Sequence, residues 1–224
     1  VYTPANGTVL NAGSGQTLTA NFNPTDATNY NPVIGTSVSI TVNKAIPVIT
    51  WSNPATITYG TALSSTQLNA TANVPGSFAY TPTNGMVLNA GSNQVLSANF
   101  TPTDVNNYQI VNNSTVLISV NKATPVITWL PPSAITFGTP LGATQLNASA
   151  NVPGTFTYTP ALGTVLNAGA NQNLSASFSP TNATNYNPVT GISTQITVNK
   201  ANPVITWPTP LPIVYGTPLS ATQL

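Results

Sequence analysis

The sequence predicts an all-β chain built of small antiparallel β-sandwiches in tandem, and three observations carry that expectation. Hydrophobic residues alternate with polar ones over short runs, the pattern of strands with one face buried and one wet. Pro (21 residues) and Gly (15 residues) punctuate those runs at turn-length intervals, and no stretch carries helical periodicity. The whole pattern returns every 78 residues.

The period is read from several strings at once. VLNAG begins at Val9, Val87 and Val165; VNKA at Val42, Val120 and Val198; PVITW at Pro47, Pro125 and Pro203. Residues 45–122 and 123–200 are identical at 47 of 78 positions, without insertion or deletion. The chain therefore divides into the C-terminal part of a repeat (1–44), two complete repeats (45–122 and 123–200) and the N-terminal part of the next (201–224). The two partial stretches together represent one repeat apart from the counterpart of Asn69–Phe78. Two expectations follow: the chain is a mature or excised stretch of a longer continuous array, or the tail of one copy completes the head of the next.

Within 45–122 the elements follow in order. PVITW (47–51) is rich in β-branched residues and meets a break at Pro54, and ATITY (55–59) ends at Gly60. TQLNATA (66–72) places Leu68, Ala70 and Ala72 at period two, and Val74-Pro75-Gly76 turns the chain into SFAYT (77–81), with Phe78 and Tyr80 on one face. Asn84-Gly85 marks another turn before Val87 and Leu88. Leu96, Ala98 and Phe100 then alternate with polar residues, as do Val116, Ile118 and Val120. About seven short strands with turns between them predict an antiparallel sandwich.

The segment FTPTDVNNY (100–108) ends one strand and delivers Tyr108 to the next, and its counterparts end at Tyr30 and Tyr186. This resembles the tyrosine corner of immunoglobulin-like sandwiches, in which the phenol hydroxyl ties back to upstream backbone. Over its full length the chain is similar to the tandem immunoglobulin-like repeats of large bacterial surface proteins. The resemblance implies immunoglobulin-like modules, exposure at the cell surface, and a role in spacing or adhesion. It implies no particular ligand, because such folds host many functions.

Composition narrows the chemistry. Charged residues make up 2% of the chain, and they are Asp26, Asp104, Lys44, Lys122 and Lys200. There is no Glu, Arg, His or Cys. A net charge of +1 cannot neutralise nucleic-acid phosphates or hold an anionic membrane, so neither partner is expected. No apolar run approaches the ~20 residues that span a bilayer. A Ser or Thr nucleophile lacks a His base, and paired-carboxylate hydrolysis lacks its second acid, since each repeat holds at most one and Asn182 replaces it in the third. Zinc finds no ligands and calcium finds too few carboxylates. No enzyme activity, cofactor, metal or catalytic residue is expected.

Three residue sets invite sharper readings. Lys44, Lys122 and Lys200 are candidate partners for an intramolecular isopeptide bond, against the plainer reading of solvated lysines beside a linker. Trp51, Trp129 and Trp207 are candidate sugar platforms, against the favoured reading of core or joint packing. Sequons at Asn6, Asn69, Asn99, Asn112, Asn113, Asn147, Asn173 and Asn182 are candidate glycan sites, although an Asn- and Thr-rich chain produces many by composition alone.

The link between complete repeats is only Asn121-Lys122-Ala123-Thr124 before Pro125, which argues for stiffness. The function expected is a structural, non-enzymatic extracellular fibre or stalk of head-to-tail repeats. Its partner is itself, with lateral bundling promoted by near-zero charge. The alternative is an adhesin segment that binds carbohydrate or a cell-surface protein. An amyloid-type fibre is opposed by the 21 prolines.

Overall fold

The computed structural model describes residues 1–224. The chain is all-β, without helix, and is arranged as several sheets. It separates into two compact units, Val1–Thr124 with Asn182–Asn187, and Pro125–Thr181 with Pro188–Leu224.

The first unit opens with β1 (Tyr2–Thr3), β2 (Gly13–Phe22) and β3 (Val33–Val42), a three-stranded antiparallel sheet in that order. It continues with β4 (Ile49–Thr50), β5 (Ile57–Thr58), β6 (Thr71–Ala72), β7 (Gly76–Thr81), β8 (Gly91–Pro102) and β9 (Val111–Asn121). These six strands form a four-stranded sheet ordered β5-β9-β8-β7 and a two-stranded sheet of β4 with β6. Only β5 runs parallel to its neighbour, Ile57 lying opposite Val120, while Phe78 faces Phe100 and Leu96 faces Val116 across antiparallel pairs.

In β8 the side chains of Leu96, Ala98, Phe100 and Pro102 are buried while those between them are wetter, and Val116, Ile118 and Val120 repeat the pattern in β9. Leu96, Val116 and Ile118 of this sheet meet Leu63 and Leu68, with Trp51, Ile57, Tyr80 and Leu88 packed at the margin. The core thus lies between a sheet face and the segment running from Trp51 to Leu68, an arrangement consistent with the β-sandwich class. Burying each of these large side chains stabilises the fold by about 1.5–3 kcal/mol. Gly76 sits where β7 starts because a Cβ there would lie 2.4 Å from the Phe100 ring and 2.5 Å from the Thr101 carbonyl oxygen. Its absence lets Phe78 pack on Phe100 with ring centroids 4.8 Å apart.

The second unit holds β10 (Ile127–Thr128), β11 (Ile135–Thr136), β12 (Ser149–Ala150), β13 (Gly154–Thr159), β14 (Gly169–Pro180) and β15 (Val189–Asn199). Its sheets are β11-β15-β14-β13 and β10-β12, and its core gathers Leu141, Leu146, Leu174 and Ile196 with Trp129 at the margin. Residues 201–224 form no strand.

One expected strand is shortened. TQLNATA does not extend through 66–72: the amides of Gln67 and Leu68 both donate to the Ser64 carbonyl, at 3.0 and 2.9 Å, and make a tight turn. The Gln67 Oε1 atom closes that turn by accepting from the Ser64 amide and hydroxyl, each at 3.1 Å, so only Thr71–Ala72 is left to pair. Just after the Asn84-Gly85 turn, Val87 makes an isolated bridge to Ala62.

Candidate functional site at the junctions

Three of the repeated motifs meet where one stretch hands over to the next. The loop after β8 is set by Asp104, whose Oδ1 accepts from the amides of Asn106 and Asn107 at 3.1 Å each while Oδ2 accepts from the Asn107 side-chain amide at 2.8 Å. That side-chain bond, then the Asn107 backbone amide, hold the Asp104 carboxyl below the usual carboxylate range.

So fixed, the loop grips the preceding stretch. The Ala12 amide donates to Asn107 Oδ1 at 2.7 Å, and Asn107 Nδ2 donates to Asn11 Oδ1 at 3.2 Å. The Ala45 amide donates to the Asn107 carbonyl and the Gln109 amide to the Ala45 carbonyl, both at 2.9 Å. Lys44 Nζ donates to the Val105 carbonyl at 2.7 Å. The motifs VLNAG, VNKA and TDVNNY therefore belong to one junction.

A second junction in the same unit repeats the bonds. Ala90 donates its amide to Asn185 Oδ1 at 2.7 Å, Asn185 Nδ2 donates to Asn89 Oδ1 at 3.0 Å, and Lys122 Nζ donates to the Ala183 carbonyl at 2.6 Å. Ala123 exchanges backbone bonds of 2.9 and 2.8 Å with Asn185 and Asn187. Here Asn185 is only 4% exposed, and the Tyr186 ring stands edge-on to Tyr59 at 5.3 Å. Asn182 replaces the aspartate, its Oδ1 accepting from the Asn185 amide at 3.2 Å, so the turn needs an acceptor and not a charge. Bonds of this kind contribute about 0.5–1.5 kcal/mol each.

Each residue set singled out in the sequence finds its place. Trp51 and Trp129 are partly buried against their cores and donate from Nε1 to the carbonyls of Gln67 and Gln145 at 3.1 Å, edge-on to Tyr80 and Tyr158. Trp207 makes the equivalent bond to Gln223 at 3.2 Å but stays 68% exposed. The ammonium groups of Lys44 and Lys122 are bonded to backbone carbonyls, with no Asn or Asp side chain as partner. All eight sequon asparagines are exposed, but Asn99 Oδ1 already accepts from the Asn113 amide at 2.9 Å. No three His, Cys, Asp or Glu residues gather, and no helix is long and apolar enough to cross a membrane.

The tyrosine-corner expectation needs correction. The hydroxyls of Tyr108 and Tyr186 make no hydrogen bond, and the Tyr186 ring packs in a T-shaped pair with Tyr59. The phenols near upstream backbone are Tyr80 and Tyr158: burial pushes both hydroxyls up in pKa, with the backbone of Ala70 and Ala148 pulling against it. Sequence reasoning also missed the asparagine clamp. Its signal was present, since Asn29, Asn107 and Asn185 recur while the residue before each varies between Thr and Asn.

No protein-family model matches the chain, and no curated protein matches it.

Proposed function

We propose that the chain is a structural, non-enzymatic stretch of an extracellular fibre or stalk, made of stiff tandem immunoglobulin-like sandwiches that repeat every 78 residues. The observation that carries this reading is the junction, where a buried asparagine, a lysine and paired backbone amides replace what would otherwise be a free hinge. A spacer needs defined linkage between modules, and apart from two Asp and three Lys the polar side chains of the chain are amides, hydroxyls and aromatic ring groups. The likeness to tandem repeats of bacterial surface proteins supports the same reading and a place outside the cell.

The test measures stiffness directly. Spin labels at the exposed positions Thr17 and Val95 flank the first junction. A narrow distance distribution is expected, broadening in Asn107→Ala combined with Lys44→Ala. A broad distribution in the unsubstituted chain overturns the proposal.

A further inference from the structure

In each complete repeat an early strand and the last strand lie side by side and run the same way. Ile57 and Thr58 of β5 face Val120 and Asn121 of β9, and Ile135 and Thr136 of β11 face Val198 and Asn199 of β15, both pairs parallel. The other strand pairs of the two repeats are antiparallel. The same residues make the contact each time, Ile-Thr against Val-Asn, with an aromatic residue and Gly after the early strand.

The contact is bonded, covered and anchored. The amides of Tyr59 and Phe137 donate to the carbonyls of Asn121 and Asn199, each at 2.8 Å. Ile57 and Ile135 pack against their cores, and their partners Val120 and Val198 are 4% and 3% exposed, so water has little access to that face. On its other edge β9 is held by β8, from Gly91 opposite Val120 to Phe100 opposite Val111. The short β5 is therefore the partner that can slide.

The direction of a pull decides how such a contact fails. Tension enters a repeat through the residues before β5 and leaves through those after β9. It draws β5 toward its N-terminus and β9 toward its C-terminus. Between parallel strands these pulls oppose each other along the strands, so the backbone bonds and the packing of Ile57 must give way together. Between antiparallel strands the pulled ends would lie at one end of the pair, and the bonds would open singly. Unfolding under force is set by the rate of crossing this barrier and not by equilibrium stability. The isolated bridges of Ala45 to Tyr108 and Ala123 to Tyr186 are parallel too and are strained in the same sense.

We propose that the stretch is a tether that carries pulling force along the chain, with the β5–β9 and β11–β15 contacts as its mechanical locks. This rests on the fibre reading and adds force to it: the junction resists bending, and the parallel contact resists extension.

The test pulls on the second complete repeat of the full chain in optical tweezers, through pairs of introduced cysteines in a chain that has none of its own. All the attachment points are exposed. Ser133→Cys with Ala201→Cys shears β11 against β15. Pro153→Cys with Thr181→Cys peels β13 from β14, beginning at the 3.0 Å bond from the Thr181 amide to the Pro153 carbonyl. Shearing is expected to need several times the force of peeling. Phe137→Pro then removes the amide that reaches Asn199. Phe137 is the second residue of a turn closed by the Thr139 amide on the Thr136 carbonyl at 3.0 Å, with Gly138 at φ 93°, a position whose backbone suits Pro. This variant should speed opening under shear about 2- to 10-fold, the effect of one lost backbone bond, and leave peeling unchanged. Phe137→Ala keeps the amide and should leave both rates unchanged. Equal forces in the two directions overturn the inference. So does a Phe137→Pro variant that leaves shear opening unchanged or speeds both directions alike, or a Phe137→Ala variant as weak as Phe137→Pro. Label distances across the first junction keep the two readings apart: narrow distances beside equal forces leave the stiff spacer standing and remove the tether, and broad distances beside a strong shear response do the reverse.

Discussion

Replacing Asn185 with Ala removes the atom that receives the Ala90 amide and the donor that reaches Asn89 Oδ1. Ala90 is partly buried and precedes β8, so its amide has no strand partner to fall back on. One net hydrogen bond is worth about 0.5–1.5 kcal/mol, and a buried donor left unsatisfied costs about 1–3 kcal/mol. The junction should therefore loosen by about 2–3 kcal/mol. Since 1.4 kcal/mol is about tenfold, local opening there becomes roughly 30- to 150-fold more frequent. Amide hydrogen exchange reads this at one site: Ala90 should exchange faster by that factor, while Leu96, buried in the core, keeps its protection. Asn185→Asp retains an acceptor for Ala90 but sets a carboxylate against Asn89 Oδ1, so an intermediate effect is expected. Unchanged exchange at Ala90 in Asn185→Ala would show that the side chain does not clamp the junction.

Three further outcomes follow. Gly154→Ala would put a Cβ 2.3 Å from the Phe178 ring and 2.5 Å from the Ser179 carbonyl oxygen, so urea unfolding should show a loss of about 2–3 kcal/mol; a loss under about 0.5 would mean the strand start is free to move. Tyr108→Phe should change stability by less than about 0.5 kcal/mol because its hydroxyl has no partner, and a loss of 1–3 kcal/mol would restore the corner assignment. The pKa values of Asp26 and Asp104 are lowered by Asn29 and Asn107, so their contribution is complete above the unfolded value of about 4 and fades as pH falls through the lower folded values. Thermal midpoints should be flat from about pH 5 to 9 with a small dip below about pH 4, and a fall of more than ~10 °C inside the flat range would contradict this.

How far the sequence could be read depended on whether a residue's role was local. Alternation in 96–100 and 116–120 fixes which faces are buried, and the structure places Leu96, Phe100 and Ile118 accordingly. Period two misled at 66–72, where Leu68 and Ala70 are indeed buried, but Leu68 closes a turn and Ala70 follows it outside any strand. That turn depends on Gln67 folding back on Ser64, a contact that a pattern of apolar positions does not encode. The junction was hidden for a related reason. Asn107 reaches residues 95 and 96 positions away, so its role appears only when Ala12 and Asn11 are brought beside it. Tyr108, the conspicuous neighbour, drew the functional reading that belonged to the asparagine.

A junction built from amides avoids the cost of burying charge. A contact repeated along an array must be desolvated each time it forms, and burying an ion costs several kcal/mol where burying a well-bonded amide costs far less. Asn185 shows the economical arrangement: it is almost fully buried, and its side chain donates to Asn89 and accepts from Ala90. Where a charge does enter, at Asp104, the carboxylate stays exposed and its task is to shape the loop, which Asn182 performs without a charge in the next copy. Replacing Asp104 with Asn should therefore leave the first junction intact, abolish its share of the acid dip, and leave label distances across it unchanged from low to high salt. A junction that loosened on Asp104→Asn, or that opened with salt, would show that the Asp104 and Lys44 charges, and not the amides, hold consecutive modules together.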